Sequence, residues 1–446
     1  MMDRAELEEL REQYRKALLD DVVAFWERHS VDREFGGFVT HLDRDGEWYG
    51  DQKAVWLQGR ESWLFLTLYQ ELDAQALGAS TPEASDERRR QWLALGRDGC
   101  RFLSDYCIDE QGKMYFEVTR DGEPLRMRRH FYSEVFGVLA FGALARIGGY
   151  GGARALGRAR ELFDSFVGYL RGTKRHPAIV PKSFEQPPTK ALSPLMCLLN
   201  MCDTMVEVDP ERRATYESLI DSCIAEIESD FVRHDLRCVL ESVPVERLND
   251  DKKQFAQPQN RVMNPGHAIE CAWFMLQVVY RRRRQQQQQQ GSAEHEGFEP
   301  ERLEHIVQQA LLIIDYCFER GWDDEASKYG GGFLYFVDIL GRPPIQLEWD
   351  QKLWWPHNEA LIALALAYHM THDAKYAQLF RRVHRYTWSH FPDPEHGEWF
   401  GYLHRDGSVL TPLKGGTWKG AFHVPRCLLK CYQIFSAELQ HQQQQE

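Results

Sequence analysis

The chain has no run of 18 consecutive apolar residues, so no segment reads as a bilayer span. It has no basic excess either. Among 446 residues, 54 Lys and Arg stand against 67 Asp and Glu, a net charge of −13. That sign excludes nucleic acid or an anionic membrane as the main partner. None of its Asn residues begins an Asn-x-Ser/Thr glycosylation site. It lacks a Gly-x4-Gly-Lys-Ser/Thr phosphate loop, a dinucleotide fingerprint after a strand, and a His-Glu-x-x-His pair. Any chemistry must therefore rest on dispersed side chains. The 10 Cys are scattered through apolar helical stretches such as those around Cys197, Cys271 and Cys317. Cys427 and Cys431 share a helix face, but no His or second Cys pair accompanies them as zinc would require. No metal and a reduced, cytoplasmic protein are the expectation. The opening Met1-Met2-Asp3-Arg4-Ala5-Glu6 is too acidic and polar for a signal peptide.

What is present is helical periodicity. Apolar residues recur at three- and four-residue spacing in twelve segments: 5–28, 54–75, 86–107, 129–148, 154–171, 190–208, 211–231, 266–281, 300–320, 357–371, 374–391 and 425–439. Between them lie short aromatic runs ending in turn residues, at 35–46, 113–122, 331–336 and 397–407, each read as a β-hairpin. The recurrence of helix, hairpin and helix is an internal repeat. Six such helix pairs close into a ring. The expected fold is therefore all-α, an (α/α)6 barrel over residues 1–440 with hairpins at one rim. The Arg/Gln-rich stretch at about 281–298 and the tail 441–446 are expected to be disordered, since their composition cannot pack.

Four clusters place polar groups among aromatics. In the first, Trp56 and Arg60 share a helix face, where an aromatic beside a guanidinium suits a sugar ring and an oxygen that gains charge. In the second, Asn264 is an N-cap candidate, Pro265 opens a helix, His267 lies in its first turn, and Glu270 is placed to hold that imidazole. The third is Glu348-Trp349 with Lys352-Leu353-Trp354-Trp355-Pro356-His357-Asn358-Glu359, read as a pocket wall. The fourth puts His423 two residues ahead of Pro425, on a loop at a helix start. Three His at Pro-marked helix starts suggest one rim where helix N-termini converge and favour an anion. Such a cavity suits proton abstraction beside a carbonyl.

These motifs, together with Gly397-Glu398-Trp399-Phe400-Gly401-Tyr402-Leu403 and Phe422-His423-Val424-Pro425-Arg426-Cys427, resemble the N-acylglucosamine 2-epimerase family, also called renin-binding protein in mammals. The resemblance covers most of the chain and implies an (α/α)6 barrel. It implies interconversion of N-acetylglucosamine and N-acetylmannosamine by two-base transfer of the C2 proton through an enediolate. His267 and His423 would carry the proton and Arg60 would hold the C1 oxygen. Glu270 would orient His267, and Glu359 would bind sugar hydroxyls or tune a His. Trp56, Asn264, Trp354 and His357 would line the pocket. Cellobiose-acting members carry Gln or another residue where His357 stands, so His357 points toward an N-acyl sugar. The resemblance further implies ATP as an activator that is not consumed, a homodimer, and renin binding as a possible partner role. The chain departs from the family in its Arg/Gln insertion, in Thr417-Trp418 and in Ala421. Aldose–ketose isomerisation, cellobiose-type epimerisation, a non-catalytic renin-binding role and glycoside hydrolysis by Glu270 and Glu359 are the alternatives. The last needs two carboxylates opposed across a pocket.

Overall fold

The computed structural model describes residues 2–78, 81–149, 151–179, 188–246, 250–288, 298–324 and 328–445. Within them the twelve expected helices form. The first, α1, is bent: Arg4–Lys16 leads through a π-helical stretch, Ala17–Val22, into Val23–His29. It is followed by α2 (Val55–Glu71), α3 (Pro82–Tyr106), α4 (Tyr132–Ile147), α5 (Gly152–Leu170) and α6 (Leu192–Val208). The second half comprises α7 (Arg213–Asp230), α8 (Pro265–Gln288), α9 (Pro300–Gly321), α10 (Trp354–Thr371), α11 (Ala374–His390) and α12 (His423–Gln445).

Burial sorts these helices into two rings. Along α10 every residue from Trp354 to Tyr368 is buried, so this helix is enclosed on all sides. By contrast α11 buries one stripe, Tyr376, Ala377, Phe380, Val383, Tyr386 and Thr387, and its other residues are half-buried or exposed. The even-numbered helices form the inner ring, each packed on the next from α2 round to α12. Each odd-numbered helix covers an inner one from outside, with α1 lying on α12. Between α12 and α2 the ring closes through Trp63 against Phe422 at 5.2 Å and a Gln433–Glu71 hydrogen bond of 2.6 Å. This is the (α/α)6 barrel the helix count implied.

Short antiparallel strands precede the inner helices at one rim: Lys53–Ala54 before α2, Thr189–Ala191 before α6, Val262–Met263 before α8 and Lys352–Leu353 before α10. Two of the four expected hairpins form as such, Glu117–Val118 with Pro124–Arg126 and Tyr402–Leu403 with Val409–Thr411. The segment at 35–46 makes only single bridges, Val31 with Phe38 and Leu42 with Trp48. The run at 331–336 does not fold on itself; beyond it, Val337–Asp338 pairs with Val262–Met263.

The rim is stitched by one recurring ion cluster, the tertiary form of the sequence repeat. An Asp after an outer helix takes a buried Lys ahead of the next inner helix and the Arg of a neighbouring Arg-Asp-Gly turn. Asp32 binds Lys53 (2.9 Å) and Arg120 (2.9 Å twice), and Asp393 binds Lys414 (2.8 Å) and Arg44 (2.8 and 3.0 Å). Asp323 binds Arg405 (2.9 and 3.1 Å) with Lys352 at 3.4 Å. Burial alone would raise the Asp32 carboxyl, but the Arg120 and Lys53 hydrogen bonds hold it at about 2.

Two expectations of disorder are corrected. Helix α8 continues through Gln288, because Arg281 and Arg282 are not solvated. Arg281 reaches Asp203 and Glu217 at 2.6 Å each, and Arg282 reaches Glu217 and Asp221 at 2.8 Å each. The remainder of that stretch, 289–297, lies outside the described residues. Helix α12 likewise runs through the tail to Gln445.

Candidate active site

All six inner helices begin at the stitched rim, and their first turns surround a cavity of about 510 Å³. Trp56 and Arg60 enter it from α2, Tyr132 and Phe136 from α4, Ser193 and Cys197 from α6, His267 and Glu270 from α8, Trp354 and Trp355 from α10, and His423 and Arg426 from α12. Six helix N-termini aimed at one space make it favourable for negative charge.

His267 is set by the Asn-Pro-Gly-His motif. Asn264 caps α8: its Oδ1 accepts from the His267 N–H at 3.1 Å, and its carbonyl from the Ala268 N–H at 3.1 Å. Gly266 is required by packing, since a Cβ there would lie 2.5 Å from the Trp355 ring. That close approach seats Trp355 beside both imidazoles, its ring centroid 5.1 Å from that of His267 and 5.8 Å from that of His423. The rings of residues distant in sequence thus flank one indole in one cavity.

Each imidazole is oriented through Nδ1, leaving Nε2 for the cavity. His267 Nδ1 donates to Glu241, 3.0 and 3.1 Å from its two oxygens. His423 Nδ1 donates to Glu359 Oε1 at 2.7 Å. Behind His423, Arg426 bridges Glu270 (2.5 Å) and Glu359 (2.7 Å), and Trp273 Nε1 donates to the other Glu359 oxygen at 2.7 Å. The environments push the two rings apart. Burial would lower His267, but the Glu241 charge and hydrogen bond outweigh it and the net shift is upward. Burial, reinforced by the Arg60 and Arg426 guanidinium groups, drives His423 well below the usual imidazole value. The two environments thus bias the rings in opposite directions, His267 toward its protonated form and His423 toward its neutral one.

Arg60 supplies the third element. Its guanidinium lies over Phe136 (4.1 Å), Trp56 (4.5 Å) and Phe422 (4.7 Å), and among the described residues nothing hydrogen-bonds it. Burial, with Arg426 adding and Glu270 opposing, lowers it to about 9. An aromatic-caged cation without a carboxylate partner is prepared for an oxygen that acquires charge. Trp354 likewise lines the cavity with an indole N–H that has no partner among the described residues.

Several expectations need correction. Glu270 is in the cavity wall but does not hold His267; that carboxylate is Glu241, between the strand ends below α6 and α8. Glu359 does not reach the cavity and serves His423 from behind, the second of the two roles expected for it. His357 is outside the cavity and fully buried: its Nδ1 donates to the Leu353 carbonyl (2.6 Å) and its Nε2 accepts from the Phe333 N–H (3.0 Å). Burial lowers it to about 3, so it is a neutral structural pin and carries no argument about an N-acyl group. Asn264 is a cap rather than pocket lining. His423 sits in the first turn of α12 rather than on a preceding loop. Glu270 and Glu359 lie on one side of the site, shared by one guanidinium, and are not opposed across it as glycoside hydrolysis requires. Together with His423 they bring three metal-type donors within 4.8 Å, but Arg426 already supplies the positive charge there. Sequence reasoning missed Arg426, although its i,i+3 spacing from His423 was visible. It also missed Glu241, for which no local pattern exists.

Comparisons with known proteins bear on the family and the fold. The sequence profile of N-acylglucosamine 2-epimerase (GlcNAc 2-epimerase) matches residues 36–427. The chain is 38% identical to the N-acylglucosamine 2-epimerase of Mus musculus over 426 residues, 95% of this chain and 91% of that protein. It is 36% identical to the N-acylglucosamine 2-epimerase of Homo sapiens, covering 94% and 89%. In fold it is similar to the cellobiose 2-epimerase of Spirochaeta thermophila, with a TM-score of 0.73 at 19% identity over 98% of this chain and 99% of that one.

Proposed function

From the premise that the chain belongs to the N-acylglucosamine 2-epimerase family, we propose that it interconverts N-acetylglucosamine and N-acetylmannosamine by proton transfer at C2. The observation that carries this reading is the pair of imidazoles flanking Trp355, with opposite protonation preferences, beside an uncommitted guanidinium. The open-chain aldehyde places its C1 oxygen at Arg60. Neutral His423 takes the C2 proton through Nε2, and the electron pair moves onto the C1 oxygen to give an enediolate. Protonated His267 then returns a proton to C2 from its Nε2, inverting that centre. In the reverse direction the two rings exchange roles. Glu359 and Glu241 keep each Nδ1–H in place, and each stabilises the imidazolium formed on its own ring.

The test is NMR in heavy water starting from each N-acetyl sugar. Deuterium at C2 of the product in both directions is expected; product without it refutes the two-base path. A ketose product would instead identify C1–C2 isomerisation. A purely binding role, such as renin binding, gives no reason for this trio in one cavity. No helix among the described residues is long and apolar enough to cross a membrane. We further propose a cytoplasmic homodimer that responds to ATP without consuming it, as the resemblance implies. All ten cysteines are free and buried, which supports a reducing compartment.

A further inference from the structure

The barrel holds a second cavity, of about 460 Å³, at the opposite end. It is lined by the C-terminal halves of the same inner helices whose first turns surround the active site: Glu71 on α2, Arg146 on α4, Glu207 on α6, Gln277 on α8, His369 on α10 and Gln433 on α12. One layer of side chains separates the two spaces, and Arg426 and Asn200 line both. Arg426 is 3% exposed and its Nε has no hydrogen-bond partner among the described residues, while its terminal nitrogen holds the carboxylate that orients His423. We propose that this far cavity binds a neutral polyhydroxylated ligand of sugar class, and that occupancy is transmitted to His423 through Arg426 and Glu359.

The ligand class follows from the lining. Four of these helices, α2, α4, α6 and α10, end beside the cavity and turn their last carbonyls toward it, which favours hydroxyl donors and opposes a polyanion. The charges nearly balance: Arg146 lies 3.2 Å from Glu71 and 3.8 Å from Glu207, Lys430 acts electrostatically on the same two carboxylates, Arg284 lies over the Tyr280 ring at 5.7 Å, and Glu71 also accepts from Gln433 at 2.6 Å. Beside these charges stand the amides of Gln70, Gln277 and Gln433 with Trp63, Trp273 and Tyr280, the combination that recognises hydroxyls and an apolar ring face. The coupling route is continuous: Arg426 lies 5.2 Å from the Trp273 ring, and both hydrogen-bond Glu359.

The proposal goes beyond the reaction assigned above, and its test is read without turnover. In a His423→Ala background, equilibrium dialysis with labelled N-acetylmannosamine counts bound sugar per chain. Ala437→Trp, which fills the far cavity from α12, is expected to remove one equivalent, whatever the active-site cavity retains. Gln277→Leu, which keeps the shape and removes the amide, should weaken that same equivalent about tenfold. An unchanged count with both variants overturns the site. Displacement of that equivalent by ATP overturns the ligand class. Coupling is read in the otherwise unmodified enzyme with N-acetylglucosaminitol, which has no carbonyl to react. It should change kcat at least twofold, and in Ala437→Trp the kcat effect should vanish while any competitive rise in KM persists. An unchanged kcat in the unmodified enzyme overturns the coupling. Turnover failure on N-acetyl sugars would count against the proposed reaction and leave the dialysis count standing.

Discussion

Replacing Glu241 by Gln separates orientation from charge at His267. The amide oxygen can still accept from Nδ1, so the ring keeps its place; the negative charge is gone. In the native site that charge and its hydrogen bond outweigh burial and keep His267 above the usual imidazole value. Without it, burial dominates and the value falls, so the acid form needed for proton delivery is depleted at neutral pH. A hydrogen bond to a charged group contributes about 1.5–3 kcal/mol. At 1.36 kcal/mol per pKa unit, that is a factor of about 10–150 in the protonation equilibrium. The expected result is a rate lower by that order at pH 7.5, with the alkaline limb of the kcat/KM profile moved toward acid. Restoring the rate by lowering pH is part of the expectation, until His423 begins to protonate. The assay is initial-rate epimerisation from each sugar across pH 5–9. A Glu241→Gln enzyme whose alkaline limb stays where it was would refute the assignment of His267 as the acid set by Glu241.

Other outcomes follow from the same geometry. Arg60→Met keeps the aromatic cage filled but removes the donors, and kcat should fall about 10²–10³-fold, equivalent to about 3–4 kcal/mol, with little change in the melting temperature. His357→Phe should leave KM for the N-acetyl sugar unchanged while lowering the melting temperature, since the Phe333 N–H loses its acceptor; a selective KM increase would return His357 to the binding site. Asp32→Asn leaves Lys53 without its counter-charge inside the rim, which should destabilise by about 3–5 kcal/mol in denaturant titration. Asp32 is depressed on folding, so its stabilisation is present above the unfolded carboxylate value and is lost as pH falls toward about 2. The native protein should lose stability over that acid range more steeply than the variant.

Much of the site was legible because it depends on short-range rules. The pattern Asn-Pro-Gly-His specifies a cap, a first helical residue and an imidazole one turn in, and the structure places all three so. Trp56 and Arg60 share a face by helical geometry alone, and their 4.5 Å contact is local. His357 was misplaced because a His near a Pro-marked helix start can face inward or sideways. Only packing against Tyr386 and Phe391 decides that it turns away from the cavity. The 281–288 stretch was misread because composition predicts solvation where four arginines run together. Carboxylates on α6 and α7 neutralise two of them and let the helix continue.

The amino-acid order by itself determined the twelve helices, their pairing into a ring and the two imidazoles and guanidinium that the proposed reaction uses. Periodicity, capping and same-face spacing act over a few residues, and a reader of the chain can apply them. Closure of the ring decided everything that links distant segments: Glu241 under His267, Arg426 tying Glu270 to Glu359, Trp355 beside both imidazoles, and one cavity at each end of the barrel. Those partners lie on different helices or, for Glu241, on the rim between strands, and only the packing of the inner helices and their rim brings these charges within reach. The protonation preference of each His is set by that packing.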